Sequence, residues 1–286
     1  MKRCLFFLCF LGMVNAAIAT PIIATYFGIW DKAHWADRFR TDTPFQKINR
    51  LYIAFGKIVK DNSGHFSIAF DGSESHAEDI IARMKKDNPS AQLFLTVGGN
   101  GGADSYGGAA NDSQFAGHVL HFLDEYDLDG FDIDWENDLN KKDLNNLVTQ
   151  LFSVLHAHQK QLTLDVWPFP NSTYDMKTLS NHLDEINIMS YGTGINLSEC
   201  VGMYARRGFP KNKMIGGIET ETNYDQNGGV TDTLGENGTI AKKAATAAKE
   251  GLAGMMSWRL DNDYAPEDRL YYPTYQGAVA LHQDSQ

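Results

Sequence analysis

Short apolar runs rich in β-branched residues recur along the chain, each followed by a more polar stretch. The runs at 22–28, 49–58, 92–98, 130–136, 161–166, 185–190, 213–218 and 252–258 are bounded by turn residues, as buried parallel strands tend to be. Between them the apolar residues fall at helical spacing. Ile80, Ile81 and Met84 mark a helix over 76–86, and Phe115, Val119, Phe122 and Leu123 one over 113–126 with Asp112 or Ser113 as its cap. Leu144, Leu147, Leu151 and Leu155 mark another over 143–159. The Ala-rich stretch 239–250 predicts a helix that stops at Gly251. A first helix belongs somewhere in 32–46.

Strands that alternate with helices pair in parallel, because each crossover returns to the same edge. Eight such units in a chain of this length fit a (β/α)8 TIM barrel. An open doubly wound sheet would place a phosphate-binding glycine loop after its first strand, and Gly28-Ile29-Trp30 is not one. In a barrel the chemistry sits at the C-terminal ends of the strands.

Composition narrows the picture. With 43% apolar residues in 286, a large core is available. A net charge of -11 argues against a nucleic-acid partner, whose phosphates demand Lys and Arg. The N-terminus reads as an export leader over 1–19: Lys2 and Arg3, an apolar run from Cys4 to Val14, then Ala17-Ile18-Ala19. A single catalytic domain over 20–286 and a secreted product are therefore expected, with no membrane anchor. Cys4 and Cys9 would leave with the leader, so Cys200 is expected to be buried and unpaired. No Cys or His cluster has zinc-ligand spacing. Sequons stand at Asn111, Asn171, Asn196 and Asn237.

The chemistry concentrates in Asp129-Gly130-Phe131-Asp132-Ile133-Asp134-Trp135-Glu136. Side chains alternate along a strand, so Asp132, Asp134 and Glu136 share one face and Phe131, Ile133 and Trp135 the other. The apolar set packs under helices. The acids then climb the barrel interior, where desolvation and mutual repulsion keep at least one protonated near neutral pH. A carboxyl held protonated is a general acid.

This segment resembles the signature of the family-18 glycoside hydrolases, the chitinases and endo-β-N-acetylglucosaminidases. Thr96-Val97-Gly98-Gly99 resembles the family's Ser-x-Gly-Gly, with Thr in place of Ser. Met189-Ser190-Tyr191 resembles its Met-x-Tyr, and Gly254-x-Met256-x-Trp258 the end of its last strand, while Tyr26 and Phe55 fit its aromatic positions. The resemblance implies a (β/α)8 barrel with no metal or organic cofactor. It implies Glu136 as acid and base, and Asp134 on the substrate's acetamido group with Asp132 behind it. Tyr191 would orient that group and Trp258 would form the sugar floor. Tyr26, Phe55, Met189, Gly98, Gly99 and Asp129 are expected around the substrate. The implied reaction is substrate-assisted, retaining, internal cleavage of β-1,4-linked N-acetylglucosamine polymers by a monomer. An endo-β-N-acetylglucosaminidase acting on the N-glycan core would use the same acids. A chitin-binding lectin on the same barrel usually lacks the catalytic Glu.

Two positions depart from the family pattern. Gly192 follows Tyr191 where Asp or Asn is common, and 216–221 is unlike the usual seventh strand end. Glu219 reads there as a solvated loop acid ahead of a residue lining the cleft. Only 219–251 separates the last two predicted strands, too little for an α+β insertion domain beside a helix.

Overall fold

The computed structural model describes residues 20–99, 105–222 and 231–286. The leader read over 1–19 lies outside the described residues. In chain order the elements are β1 (Ile22–Gly28), α1 (Trp35–Arg38), β2 (Arg50–Lys60), β3 (Phe66–Phe70), α2 (Glu74–Asp87), β4 (Gln92–Gly98), α3 (Tyr106–Ala109), α4 (Phe115–Glu125) and β5 (Gly130–Asp134). There follow α5 (Lys141–Ala157), β6 (Gln161–Val166), α6 (Met176–His182), β7 (Glu185–Ile188), α7 (Leu197–Arg206), β8 (Met214–Glu219), α8 (Thr239–Glu250), β9 (Gly254–Trp258) and α9 (Gln276–Asp284).

Eight of these strands close a parallel barrel. β1 pairs with both β2 and β9, and the sheet runs β9-β8-β7-β6-β5-β4-β2 back to β1. The ninth strand, β3, was not expected from the sequence. β2 runs past the barrel rim, and β3 folds back antiparallel on that extension. The first helix is a single turn: Trp35 and Phe39 pack around Phe27 with Phe45 instead of continuing a helix.

Strand alternation sorts the core. Tyr26, Tyr52, Phe94, Ile215 and Met256 fill the inside of the barrel. Phe131, Ile133 and Trp135 lie in the outer core between strands and helices, so Asp132 and Asp134 are turned inward, as β5's pattern predicts. Cys200 is fully buried on α7 and makes no disulfide. Among the described residues no helix is long and apolar enough to cross a membrane.

The end of β4 is shaped by its glycines. Gly98 has φ +119°, and a Cβ there would stand 2.0 Å from the Asp134 carbonyl oxygen. Gly99 (φ +83°) donates its N–H to that same oxygen at 2.9 Å. Two backbones therefore touch where the acids emerge. Gly98→Ala is expected to lower stability by at least about 2 kcal/mol, from left-handed strain plus the clash. Gly117→Ala, exposed on α4 with open space at its Cβ, is expected to raise it by about 0.5–1 kcal/mol. Denaturant melts of the two variants check the contrast.

Candidate active site

The polar interior starts at the foot of the barrel. Arg50 is buried there, with its guanidinium on Glu185 at 3.1 Å, on the Gln92 and Gln161 amide oxygens, and on the Tyr52 hydroxyl at 3.2 Å. Tyr52 donates to Asn187 at 3.3 Å, and Asn187 donates to the Tyr26 hydroxyl at 3.0 Å. Tyr26 gives its own proton to Asp165 at 2.6 Å and lies 3.3 Å from Asp132. A hydrogen-bonded column thus climbs from a buried cation to the acids at the mouth.

Asp132 is the hub. Thr96 at 2.8 Å, Thr163 at 2.5 Å and Asn187 at 3.3 Å donate to its two oxygens, so donors converge from β4, β6 and β7 besides Tyr26 on β1. Burial raises its carboxyl above the usual range, and these donors hold the rise back. Asp134 is different. Burial first, then the charges of Glu136 and Asp132, push it well above the ordinary value. Its Oδ1 is enclosed and has no hydrogen-bond partner among the described residues. Asp165, on the inward face of β6, is also pushed well up by burial and by the charges of Asp132 and Asp134. Three carboxyls this close in a low-dielectric interior cannot all ionise. The three share protons as one coupled group, and the donors around Asp132 hold its rise back, while Asp134 and Asp165 are pushed well up.

Glu136 lies two residues past the end of β5, half-buried, its carboxyl raised by burial. It borders a cavity of about 840 Å³ at the C-terminal ends of the strands, together with Asp134. Tyr26, Phe55, Gly99, Met189, Tyr191 and Trp258 also line that cavity. The Tyr191 hydroxyl lies 3.7 Å from the Met256 sulfur. Trp258, Phe55 and Trp30 form one aromatic face, with centroids 5.6–6.4 Å apart and planes within 27° of one another.

Two expectations are corrected. Asp129 stands at the opposite end of β5, where its carboxylate accepts the Leu93 N–H at 2.8 Å; it closes the barrel's N-terminal rim and does not face the cavity. Glu219 is not solvated. It is 1% exposed and accepts the Glu221 N–H at 2.7 Å, and burial chiefly pushes its carboxyl well above the ordinary value. Beside it Asp232, paired with Lys243 at 2.7 Å, accepts the Gly192 N–H at 3.0 Å, so the segment after Tyr191 is tied by a carboxylate from the β8–α8 loop.

Sequence reasoning also missed Trp30, Asp165, Trp167 and Phe169, all on the cavity wall. Asp165 had a readable signal: it shares the inward parity of Gln161 and Thr163, alternating with Leu162, Leu164 and Val166. Trp167 and Phe169 sit in Trp-Pro-Phe-Pro, which reads only as a loop.

Comparison with known proteins places this geometry. The family model "Glycosyl hydrolases family 18" matches residues 22–233. An endochitinase from Brugia malayi is 26% identical over 217 residues, covering 61% of this chain and 42% of that protein. A probable chitinase 2 from Drosophila melanogaster is 29% identical over 123 residues, covering 38% and 25%. The chain spans less than half the length of these curated relatives. Among solved structures, a chitinase from Cycas revoluta in complex with (GlcNAc)3 superposes with a TM-score of 0.71 at 15% identity, covering 93% of this chain and 100% of that one. A chitinase-like agglutinin from Robinia pseudoacacia gives 0.70 at 15%, with the same coverage. These structures share the fold. With the family model running from β1 through the loop after β8, this chain belongs to family 18 of the glycosyl hydrolases.

Proposed function

We propose that the protein is a chitinase that cleaves β-1,4-linked N-acetylglucosamine polymers internally, with retention, using Glu136 as acid and then base. The observation that carries the reading is the pair at the head of β5. Asp134 is buried with its carboxyl pushed well up, one oxygen beside the cavity has no hydrogen-bond partner among the described residues, and Glu136 stands next to it with a raised carboxyl.

The steps follow from those states. Glu136 gives its proton to the glycosidic oxygen as the bond to C1 breaks. The substrate's own 2-acetamido oxygen attacks C1, because a protonated Asp134 is a poor nucleophile. Asp134 accepts the acetamido N–H and gives its own proton to Asp132, so that a carboxylate faces the cyclic oxazolinium ion as it forms. Tyr191 orients the acetamido oxygen, and Trp258 lies under the ring. Glu136, now ionised, takes a proton from water, which opens the ring at C1.

The names of the relatives support chitin as the polymer. So does the shape of the site: Trp30 and Phe169, 39% and 41% exposed, line the cavity from opposite sides of the barrel, after β1 and after β6. Aromatic faces at both ends suit a chain that passes through, and only 220–238 lies between β8 and α8, too short for an α+β insertion domain. A monomer, exported after loss of the 1–19 leader, belongs to the same reading. Incubation with chitin oligomers and, separately, with a high-mannose glycoprotein is expected to give shorter oligomers from the first and no release from the second, by mass. Cleavage of the glycoprotein alone would assign the N-glycan core instead. Binding of oligomers with no turnover would assign a lectin.

Glu136→Gln is expected to cut turnover by at least about 10²-fold, the low end for loss of acid catalysis, while calorimetry shows oligosaccharide binding within a few-fold. Turnover within tenfold of wild type would remove Glu136 from the role.

Asp134→Asn is expected to abolish most turnover yet raise the melting temperature at neutral pH. A carboxyl whose folded pKa is raised costs nothing below its unfolded value of about 4 and increasingly more above it. The gain should therefore be absent at acid pH and grow as pH rises. Asp132→Asn should reduce turnover less and lower the melting temperature, since an amide nitrogen would face the donors that now meet a carboxylate. Melts between acid and neutral pH, beside kinetics, separate the two.

A further inference from the structure

Outside the cavity, a second charged cluster sits behind its aromatic face. Glu221 lies two residues past the end of β8 and does not line the cavity. Its Oε2 accepts the Trp258 indole N–H at 3.1 Å. Its Oε1 accepts Arg259 Nη2 at 3.0 Å and Asn262 Nδ2 at 2.5 Å. Burial alone would raise this carboxyl, but the Arg259 charge and the converging donors hold it below its ordinary value. Glu221 is therefore a carboxylate, unlike its neighbour Glu219.

Arg259 is buried, and its guanidinium lies 4.6 Å from the Trp30 ring centroid and 5.8 Å from that of Trp258. Asp261 holds the other arm of the guanidinium, and its second oxygen takes the Gly28 N–H of β1 at 2.9 Å. One cation thus stands beside two rings of the aromatic face, fixed between two carboxylates from different loops. Buried charges of this kind are a poor source of net stability, since desolvation offsets their attraction. They do fix geometry. A charge-assisted hydrogen bond stops the indole from rotating, and a planar guanidinium resists tilting of the rings it faces.

We propose that Glu221 is the positioning residue of the sugar floor, holding the Trp258 indole through its N–H and, through Arg259, bracing Trp30. Its effect on turnover rests on the chitinase reading; its effect on the indole does not. A distorted sugar ring in the transition state presses on a surface that must not yield, and loss of register by about 1 Å can cost 10²-fold.

The test has two readouts on the whole protein. The first is the nitrogen–proton correlation spectrum without ligand. The chain has five tryptophans, and Trp258→Phe identifies the Trp258 indole signal by its loss. Glu221→Ala is expected to move that signal toward the position of an indole bonded only to water, and Glu221→Gln to move it partway. The second is a double-mutant cycle on kcat/KM with chitin oligomers. Glu221→Ala is expected to cost roughly ten- to hundredfold in the wild-type background, the size of a lost charge-assisted bond. It should cost clearly less when Trp258 is already Phe. If Glu221→Ala does not fold, Glu221→Gln carries both measurements with smaller shifts. A Trp258 signal that stays in place in the folded variants, or an equal loss in both backgrounds, would overturn the proposal. Unmoved oligomers with a shifted indole signal would overturn the chitinase reading alone.

Discussion

Enclosure of several carboxyls in one barrel mouth governs the rest of this structure. Asp132, Asp134 and Asp165 are buried together, with Glu136 at the rim. They are tolerable only if protons are shared and the remaining charge is solvated by protein. Asp132 receives donors from three strands and has the Tyr26 hydroxyl beside it, and the column through Tyr26, Asn187 and Tyr52 ends on the Arg50 cation at the barrel's foot. Inward positions that would otherwise be apolar are used for this purpose on β1, β2, β4, β6 and β7. The same arrangement pushes the Asp134 carboxyl well up and leaves its Oδ1 without a hydrogen-bond partner among the described residues, a gap that a ligand amide would fill.

That constraint also explains what the sequence disclosed. Alternation in Phe131-Asp132-Ile133-Asp134-Trp135 is strict, so the faces of β5 were readable without a structure, and β1, β4 and β6 run over the residues their patterns predict. α8 likewise starts at Thr239 and ends before Gly251, which adopts φ +68°. The strand end at Glu136 was less legible, because the chain leaves the sheet after Asp134 while the side chain still faces the cavity.

Elements that depend on distant packing were not legible. β3 forms only because β2 overshoots the barrel and offers an edge, a fact absent from the local sequence of 66–70. Asp129 has the same chemistry as the acids at the cavity, and only its place at the start of β5 reveals that it caps the Leu93 N–H. Glu219 and Glu221 are nearly identical on paper. At Glu219 burial outweighs the Arg259 charge and pushes the carboxyl up; at Glu221 the direct Arg259 pair and the Asn262 and Trp258 donors outweigh burial and hold it down. The Trp-Pro-Phe-Pro segment at 167–170 carries no periodicity, so its role in the wall comes from the barrel's closure alone.

The central claim is that no protein carboxylate attacks the sugar. With Asp134 protonated, as the proposed mechanism has it, two nucleophiles would remain, the substrate's acetamido oxygen and water. The first gives a product of the starting configuration, the second the opposite one. Proton NMR of a chitin oligomer within the first minutes of hydrolysis, before mutarotation, reads the new reducing end directly. The account predicts the β-anomer in initial excess. An initial α-anomer would contradict it.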